Sequence, residues 1–376
     1  MNDGVAGPSR VVLFAAYPHM YGGTERALEL LGRGLRERGW KVEVVLPASG
    51  PVGDRLGAAG VDVDVVQAPD SLLLYGGATR GLRGASATVA LPAYWARLRR
   101  RLRGARVVHA FAQRGFVLAG PAARLAGAPL VWQVGGRDPG RALNATAARM
   151  SAAVIAVSHS AARGLPASAR VDIVSNAVDP KAFEVTTSHA ADGFHVACAA
   201  RLTPEKGVDV LLRATALLRA DVPGLRVLVL GGTQEGHEAY GAELTSLAAE
   251  LGIGDAVCFA GFVEHPFERW AGARVYAQPS RREGFGLAVA EAMAGGLPVV
   301  ATAVGGMVDV LDEGRAGVLV PPDDPRALAN GIKSLLADRQ EATRLGQAGR
   351  QRALAQYALD RMLDGVEAVY HRVSRV

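Results

Sequence analysis

The stretch 275–294 constrains this chain more than any other. It opens with the apolar run VYAQPS and continues as RREGFGLAVAEAMA. A short apolar run bounded by a turn reads as a buried parallel strand. Gly284 and Gly286 interrupt it, and the alanine-rich stretch behind them favours helix. Strand, glycine loop and helix in that order form the unit of an open parallel sheet. Ligands of such sheets bind where loops leave the carboxyl ends of the strands. The helix N-terminus there carries unpaired N–H groups and partial positive charge, which suit a phosphate. Glu283 lies in the loop and Glu291 lies eight residues on. A helical span of that length would separate them by roughly 12 Å, enough for two carboxylates to grip hydroxyls at two places on one ligand. Taken alone, such a pair is more often a loop acid and a helix-face acid with no shared job.

The same pattern recurs twice. A first apolar run, 10–16, leads through Tyr17, Pro18, His19 and the pair Gly22-Gly23 into a helical segment reaching about Arg38. Glycines there let backbone approach a ligand. Another run, 194–200, leads into RLTPEKG over 201–207 and then a helix from about Val208. Thr203 suits a cap, Pro204 the first turn, and Glu205 the positive end of the helix. Arg201 and Lys206 flank that turn and could neutralise a diphosphate, one as a planar fork and the other as a point charge. Further strand candidates are 41–47, 61–67, 107–111, 129–136, 154–158, 171–176, 225–232 and 257–263. His109 is either an acceptor contact or a satisfied strand-end histidine. Neither the G-x-G-x-x-G dinucleotide fingerprint nor a Walker loop is present, which disfavours an NAD-dependent dehydrogenase.

At 376 residues the chain can hold two domains with substantial cores, and 21% charged residues suits a compact α/β protein. No apolar run reaches the length of a membrane span and the start lacks a signal pattern, so a cytoplasmic protein is expected. The cysteines, Cys198 and Cys258, both lie in apolar runs and read as buried free thiols. Charge is unevenly spread. Residues 1–182 hold 23 Lys and Arg against 12 Asp and Glu, the remainder 19 against 24, and no acid occurs from Ser71 to Arg137. That field suggests an anionic or lipid-linked partner. Leu91, Trp95, Leu98 and Leu102 fall on one helical face ringed by arginines. The helix either packs that face internally or, through the basic segment 80–106, makes a peripheral contact with anionic lipid on the inner membrane face. Nucleic acid is not an expected partner, since the arginines lack interleaved aromatics.

The run EGFGLAVAEAMA, with seven residues between its two glutamates, and the R-L-x-x-E-K-G turn at 201–207 resemble the signatures of retaining glycosyltransferases with the GT-B fold, the family-4 type (glycosyl transferases group 1). The resemblance covers nearly the whole chain and is strongest over 194–322. Gly22-Gly23, the N-A-V-D turn at 176–179, Gly305-Gly306 and the run 316–322 match further landmarks. It implies an α/β fold of two Rossmann-like, doubly wound parallel-sheet domains facing across a cleft. An acceptor domain would span 1–182, with linker character from 180 to 193. A nucleotide-sugar donor domain would span 194–355, and a helix in 356–376 would cross back onto the first domain.

The activity implied is transfer of a sugar from a nucleoside-diphosphate sugar, with UDP or GDP as the nucleotide, to a hydroxyl acceptor with retention. The acceptor would be an envelope glycolipid or polysaccharide, or a small cyclitol or secondary metabolite. The reaction would need no metal and no cofactor besides the nucleotide sugar, because fixed positive partners meet the leaving diphosphate and no D-x-D metal motif stands in the usual place. By resemblance Glu283, Arg201 and Lys206 are the catalytic candidates. Donor contacts would come from Glu291, Phe285, Gly286, Leu287, Gly261, Phe262, Gly22 and Gly23. Acceptor contacts would come from His109, Arg137, Asp138 and His19. The chain departs from the family at Gly135, where many relatives carry a histidine near the transferred sugar. No glycosidase-like nucleophile stands out, so same-face departure with the donor phosphate taking the acceptor proton is the expected chemistry. A nucleotide-sugar epimerase, a phosphorylase and a non-catalytic sugar-nucleotide binder remain alternatives.

Overall fold

The computed structural model describes residues 9–19, 22–73, 82–136, 140–185, 193–233 and 237–374, with backbone only for 82–88. The chain divides into two compact units, 1–175 with 359–376, and 176–358. Each is built on one parallel sheet clad by helices, the layered α/β arrangement that alternating strands and helices demand.

In the first unit the strands are β1 (Arg10–Phe14), β2 (Lys41–Leu46), β3 (Asp62–Val65), β4 (Val107–Phe111), β5 (Leu130–Val134), β6 (Ala153–Ala156) and β7 (Val171–Ile173), in the spatial order β3-β2-β1-β4-β5-β6-β7. β4, β5 and β6 are buried along their whole length, whereas the edges β3 and β7 are half-exposed. This is the pattern of a sheet covered on both faces. The chain's last helix, Leu359–Val373, belongs to this unit and packs on the helix Gly23–Glu37. The two approach closely at Gly34, where a Cβ would stand 2.6 Å from a Leu363 methyl. Arg38 binds Asp360, Asp364 and Glu367 on one face of the last helix at 2.6–2.8 Å. Trp40 donates its indole N–H to Glu367 at 2.7 Å.

The second unit holds β8 (Val196–Ala199), β9 (Val227–Leu230), β10 (Val257–Phe259), β11 (Val275–Gln278), β12 (Val299–Thr302) and β13 (Val318–Val320), ordered β10-β9-β8-β11-β12-β13. Val196, Cys198, Val227, Val229, Val275, Ala277 and Val300 lie in one core cluster with the apolar faces of the helices Val208–Arg219 and Pro325–Ala337.

The two compact units meet in sequence at 175–176, and one expectation is corrected below. Asp179 accepts from the Lys181 N–H and Pro180 starts a short helix, Pro180–Glu184, that packs on the helix Leu287–Ala294 of the second unit. Arg350 fixes it by donating to the Phe183 carbonyl at 2.7 Å. Cys258 is exposed and only Cys198 is buried, because Cys258 sits on the edge strand β10 with its side chain turned outward.

Candidate active site

Strand order reverses between β8 and β11, which are hydrogen-bonded neighbours. In a parallel sheet that reversal opens a crevice at the carboxyl edge. The loops leaving these two strands carry RLTPEKG and the glycine loop with Glu283. They are held against each other by backbone. Gly207 has φ +64°, and a Cβ on it would stand 2.1 Å from the Pro279 carbonyl oxygen, so the approach requires glycine. The Glu205 carbonyl accepts from the N–H groups of Arg281 and Arg282 at 2.8 and 3.2 Å. Arg281 then ties three segments together. Its guanidinium grips both oxygens of Asp209 at 2.7 Å, donates to the Pro204 carbonyl at 2.6 Å, and reaches Asp323 at 2.5 Å. Burial pushes the Asp209 carboxyl up, but hydrogen bonds from Arg281 and Tyr240 outweigh it and hold Asp209 below its ordinary value. The same Asp209 bonds hold the Arg281 guanidinium above its usual range.

This clamp brings Lys206 to Glu283. The Lys206 ammonium donates to Glu283 Oε2 at 2.6 Å, with each side chain 15% exposed. A cation and a carboxylate thus meet at the edge of the sheet, mostly shielded yet open to a ligand. Arg201, half-buried, stands two residues past the end of β8.

Glycines shape the rest of the site. Gly286 (φ +99°) turns the chain into the helix Leu287–Ala294. Behind the loop, Gly305 (φ +56°) lies so close that a Cβ would stand 1.7 Å from the Glu283 carbonyl oxygen. A Cβ on Gly306 would stand 2.4 Å from that of Gly284. Phe285 and Leu287 are buried, Phe285 edge-on against Tyr357 with ring centroids 5.4 Å apart, so what these two can offer a ligand is backbone N–H. Glu291 is buried within the helix, at 3% exposure. The helix begins only at Leu287, so the rise of 1.5 Å per residue behind the 12 Å separation does not run back to Glu283. Gly261 and Phe262 follow β10. Gly261 (φ +70°) accepts from the Gly231 N–H at 2.7 Å, and Phe262 is 62% exposed.

In the first unit, His109 is fully buried. It stacks on Phe111 at 4.4 Å between ring centroids and shares a 2.7 Å hydrogen bond from Nδ1 with the Tyr370 hydroxyl of the last helix. Burial lowers its pKa to about 3. The acceptor contact expected of His109 is therefore corrected: it is a core histidine held through Nδ1 by Tyr370, with no surface for a ligand. His19 is exposed. Gly22 caps the helix Gly23–Glu37, and its N–H is taken by Glu25 Oε2 at 3.0 Å. Gly135 has open space around it, so the missing side chain leaves room beyond β5. Arg137 and Asp138 lie outside the described residues. The arginine-rich helix Leu82–Leu102 buries Tyr94, Leu98 and Leu102, and Trp95 donates to the Val117 carbonyl at 3.1 Å. That part of its apolar face packs on the helix Ala112–Ala126, while Val89 is 80% exposed. Among the described residues, no helix is long and apolar enough to cross a membrane, and no group of three His, Cys, Asp or Glu is placed to hold a metal ion.

Sequence reasoning missed the Arg281–Asp209 pair, whose members are 72 positions apart with no local signal. It also passed over Tyr276, Gln278 and Ser280, polar residues at every second position of an otherwise apolar buried strand. That alternation was the available clue.

Two family models match consecutive parts of the chain, one described as glycosyl transferases group 1 over 184–352 and one as Glycosyltransferase Family 4 over 21–182. A D-inositol 3-phosphate glycosyltransferase of Nocardioides sp. is 37% identical over 204 residues, 49% of this chain and 44% of that protein. One from Mycolicibacterium smegmatis is 38% identical over 213 residues, 54% of this chain and 48% of that protein. The chain spans about half the length of the curated relatives it matches. Among solved structures, HepE of Anabaena in complex with UDP superimposes with a TM-score of 0.81 at 23% identity, over 97% of this chain and 100% of that one. Sucrose-phosphate synthase of Thermosynechococcus elongatus gives 0.76 at 21%, over 97% and 99%.

Proposed function

We propose that this chain, which belongs to the glycosyl transferases group 1 and has the GT-B fold, transfers a sugar from a nucleoside-diphosphate sugar to a hydroxyl acceptor with retention of configuration. The observation that carries the reading is the Lys206–Glu283 pair at 2.6 Å, on loops leaving the two strands where the sheet order reverses. When a nucleoside diphosphate departs, negative charge grows on its phosphates, and fixed donors aimed there lower the barrier. Lys206, Arg201 and the N–H groups at the start of the helix Leu287–Ala294 are the donors assigned to that charge. They do the work a divalent metal would otherwise do. Glu283 takes the sugar hydroxyls and Glu291 those of the ribose. The acceptor proton goes to the departing phosphate on the same face.

UDP is the preferred donor nucleotide, in keeping with the UDP complex of the HepE fold relative. The acceptor is an anionic cyclitol phosphate, in keeping with the relatives' name and with the basic excess over 1–182.

A melting-temperature screen with UDP-, GDP-, ADP- and dTDP-sugars, with and without chelator, tests the donor. A ligand that binds only the folded state raises the melting temperature by linkage. The expected result is a clear rise with a UDP-sugar, unchanged by chelator. A rise that chelator abolishes refutes metal independence, and no rise with any donor refutes the assignment of the site.

A further inference from the structure

Strand β11 carries a line of polar side chains on one face. Its odd positions, Val275 and Ala277, enter the apolar core, whereas Tyr276, Gln278 and then Ser280 alternate onto the other side, as the two-residue period of a strand requires. All three are buried: Tyr276 at 0%, Gln278 at 2% and Ser280 at 0% exposure. Buried polar groups need partners, and these are joined in one direction. The Ala199 N–H donates to the Tyr276 oxygen at 3.2 Å, and the Tyr276 hydroxyl has Gln278 Oε1 at 2.8 Å as its nearer acceptor and the Ala199 carbonyl at 3.3 Å as the farther. Gln278 Nε2 donates to Ser280 Oγ at 3.0 Å, and the Ser280 hydroxyl donates to Glu283 Oε2 at 3.3 Å. Burial raises the Tyr276 phenol well above its ordinary value, which keeps it a donor.

The chain starts at the backbone of β8 and ends on the carboxylate of the site. With Gln278 Oε1 on the Tyr276 hydroxyl and Nε2 on Ser280 Oγ, the Ser280 hydrogen is left to reach Glu283. Both Ser280 and Lys206 donate to Oε2 of Glu283, which leaves Oε1 as the oxygen to meet a ligand. The Ser280 backbone is held separately, by Thr302 Oγ1 donating to its carbonyl at 2.5 Å. Its hydroxyl is therefore not needed to place the loop.

We propose that Ser280 and Gln278, anchored through Tyr276, are positioning residues that fix the rotamer of Glu283 and so set the enzyme's grip on the sugar of its donor. This rests on the reading of the site given above. The nucleotide's phosphates and base do not depend on the relay, and that separates its role from general support of the fold.

The test compares UDP with UDP-glucose by calorimetry on the full chain. In Ser280→Ala, affinity for UDP-glucose should fall about tenfold relative to wild type, the loss expected for one hydrogen bond to a charged group. Affinity for UDP should stay within about twofold. Tyr276→Phe, which keeps the volume and removes only the hydroxyl, should shift the same ratio in the same direction by a smaller factor. In a Glu283→Gln background, Ser280→Ala should add almost nothing, since residues acting as one unit are not additive. Equal losses for UDP and UDP-glucose, or a full Ser280→Ala effect in the Glu283→Gln background, would overturn the positioning role while leaving the donor site intact. A wild type that binds neither probe refutes the donor reading itself, and the positioning role falls with it.

Discussion

Replacing Lys206 with alanine separates what the Lys206–Glu283 pair does for the fold from what it does for the reaction. Its geometry is close, at 2.6 Å, and each side chain keeps 15% of its surface. That places it between exposed ion pairs, worth about 0–1 kcal/mol, and fully buried ones, whose breakage costs about 3–5 kcal/mol. Loss of Lys206 strands a carboxylate supported by Ser280, at a cost of about 2 kcal/mol. For a unit of this size that is a fall of about 4–8 °C in melting temperature. Turnover should suffer more. Removing one fixed donor from a developing anionic centre costs about 10²–10³ in kcat. The double variant Lys206→Ala with Glu283→Gln decides between the two effects. With no stranded charge it should recover part of the lost melting temperature yet none of the activity. Melting curves and initial rates with saturating donor read both quantities. Turnover of Lys206→Ala within threefold of wild type would refute the leaving-group role. A double variant no more stable than the single one would refute the pair itself.

Gly305→Ala should destabilise the second unit by at least about 3 kcal/mol and abolish the donor-induced rise in melting temperature. It combines a left-handed φ of +56° with a Cβ 1.7 Å from the Glu283 carbonyl oxygen. Gly254→Ala, with open space around it, should change stability by less than about 0.5 kcal/mol and serves as the control. His109 gives a pH signature. Its folded pKa, about 3, lies below the ordinary value of 6.5, so the unfolded chain binds the extra proton first. Its contribution is complete above pH 6.5 and is lost as the pH falls from there toward 3, with a slope of at most about 1.4 kcal/mol per pH unit. Melting curves at pH 7.5 and 5.0 should show a smaller drop for His109→Gln than for wild type, and equal drops would refute the assignment.

The strands were legible because parallel sheets bury both faces and so spell near-continuous apolar runs. The runs at 10–16, 107–111 and 275–280 became β1, β4 and β11, the first and last shortened at the carboxyl end where the loop begins and β4 unchanged. Glycines marked the loops for a physical reason that the structure makes explicit at Gly207 and Gly305, where backbone meets backbone too closely for any side chain. Pairing across the fold was not legible. A histidine at a strand end is the same letter whether it faces a ligand or a tyrosine 261 positions away, and only the return of the last helix made His109 a core residue. Segment 180–184 looked like linker because it opens the stretch 180–193, where Ser, Thr and His follow one another with little pattern, although contacts to the helix Leu287–Ala294 bind it to the second unit.

Arg281 shows the same limit within the site. It stood inside the motif read first, yet its role comes from Asp209 and Asp323, 72 and 42 positions away. Local sequence signals carry backbone geometry and burial, which are short-range. The side-chain pairs that hold Lys206 against Glu283 close through space, between loops that the strand order alone makes neighbours. The sheet reversal between β8 and β11 thus explains why RLTPEKG and EGFGL, so far apart in the chain, work as one site: each supplies one charge of the pair.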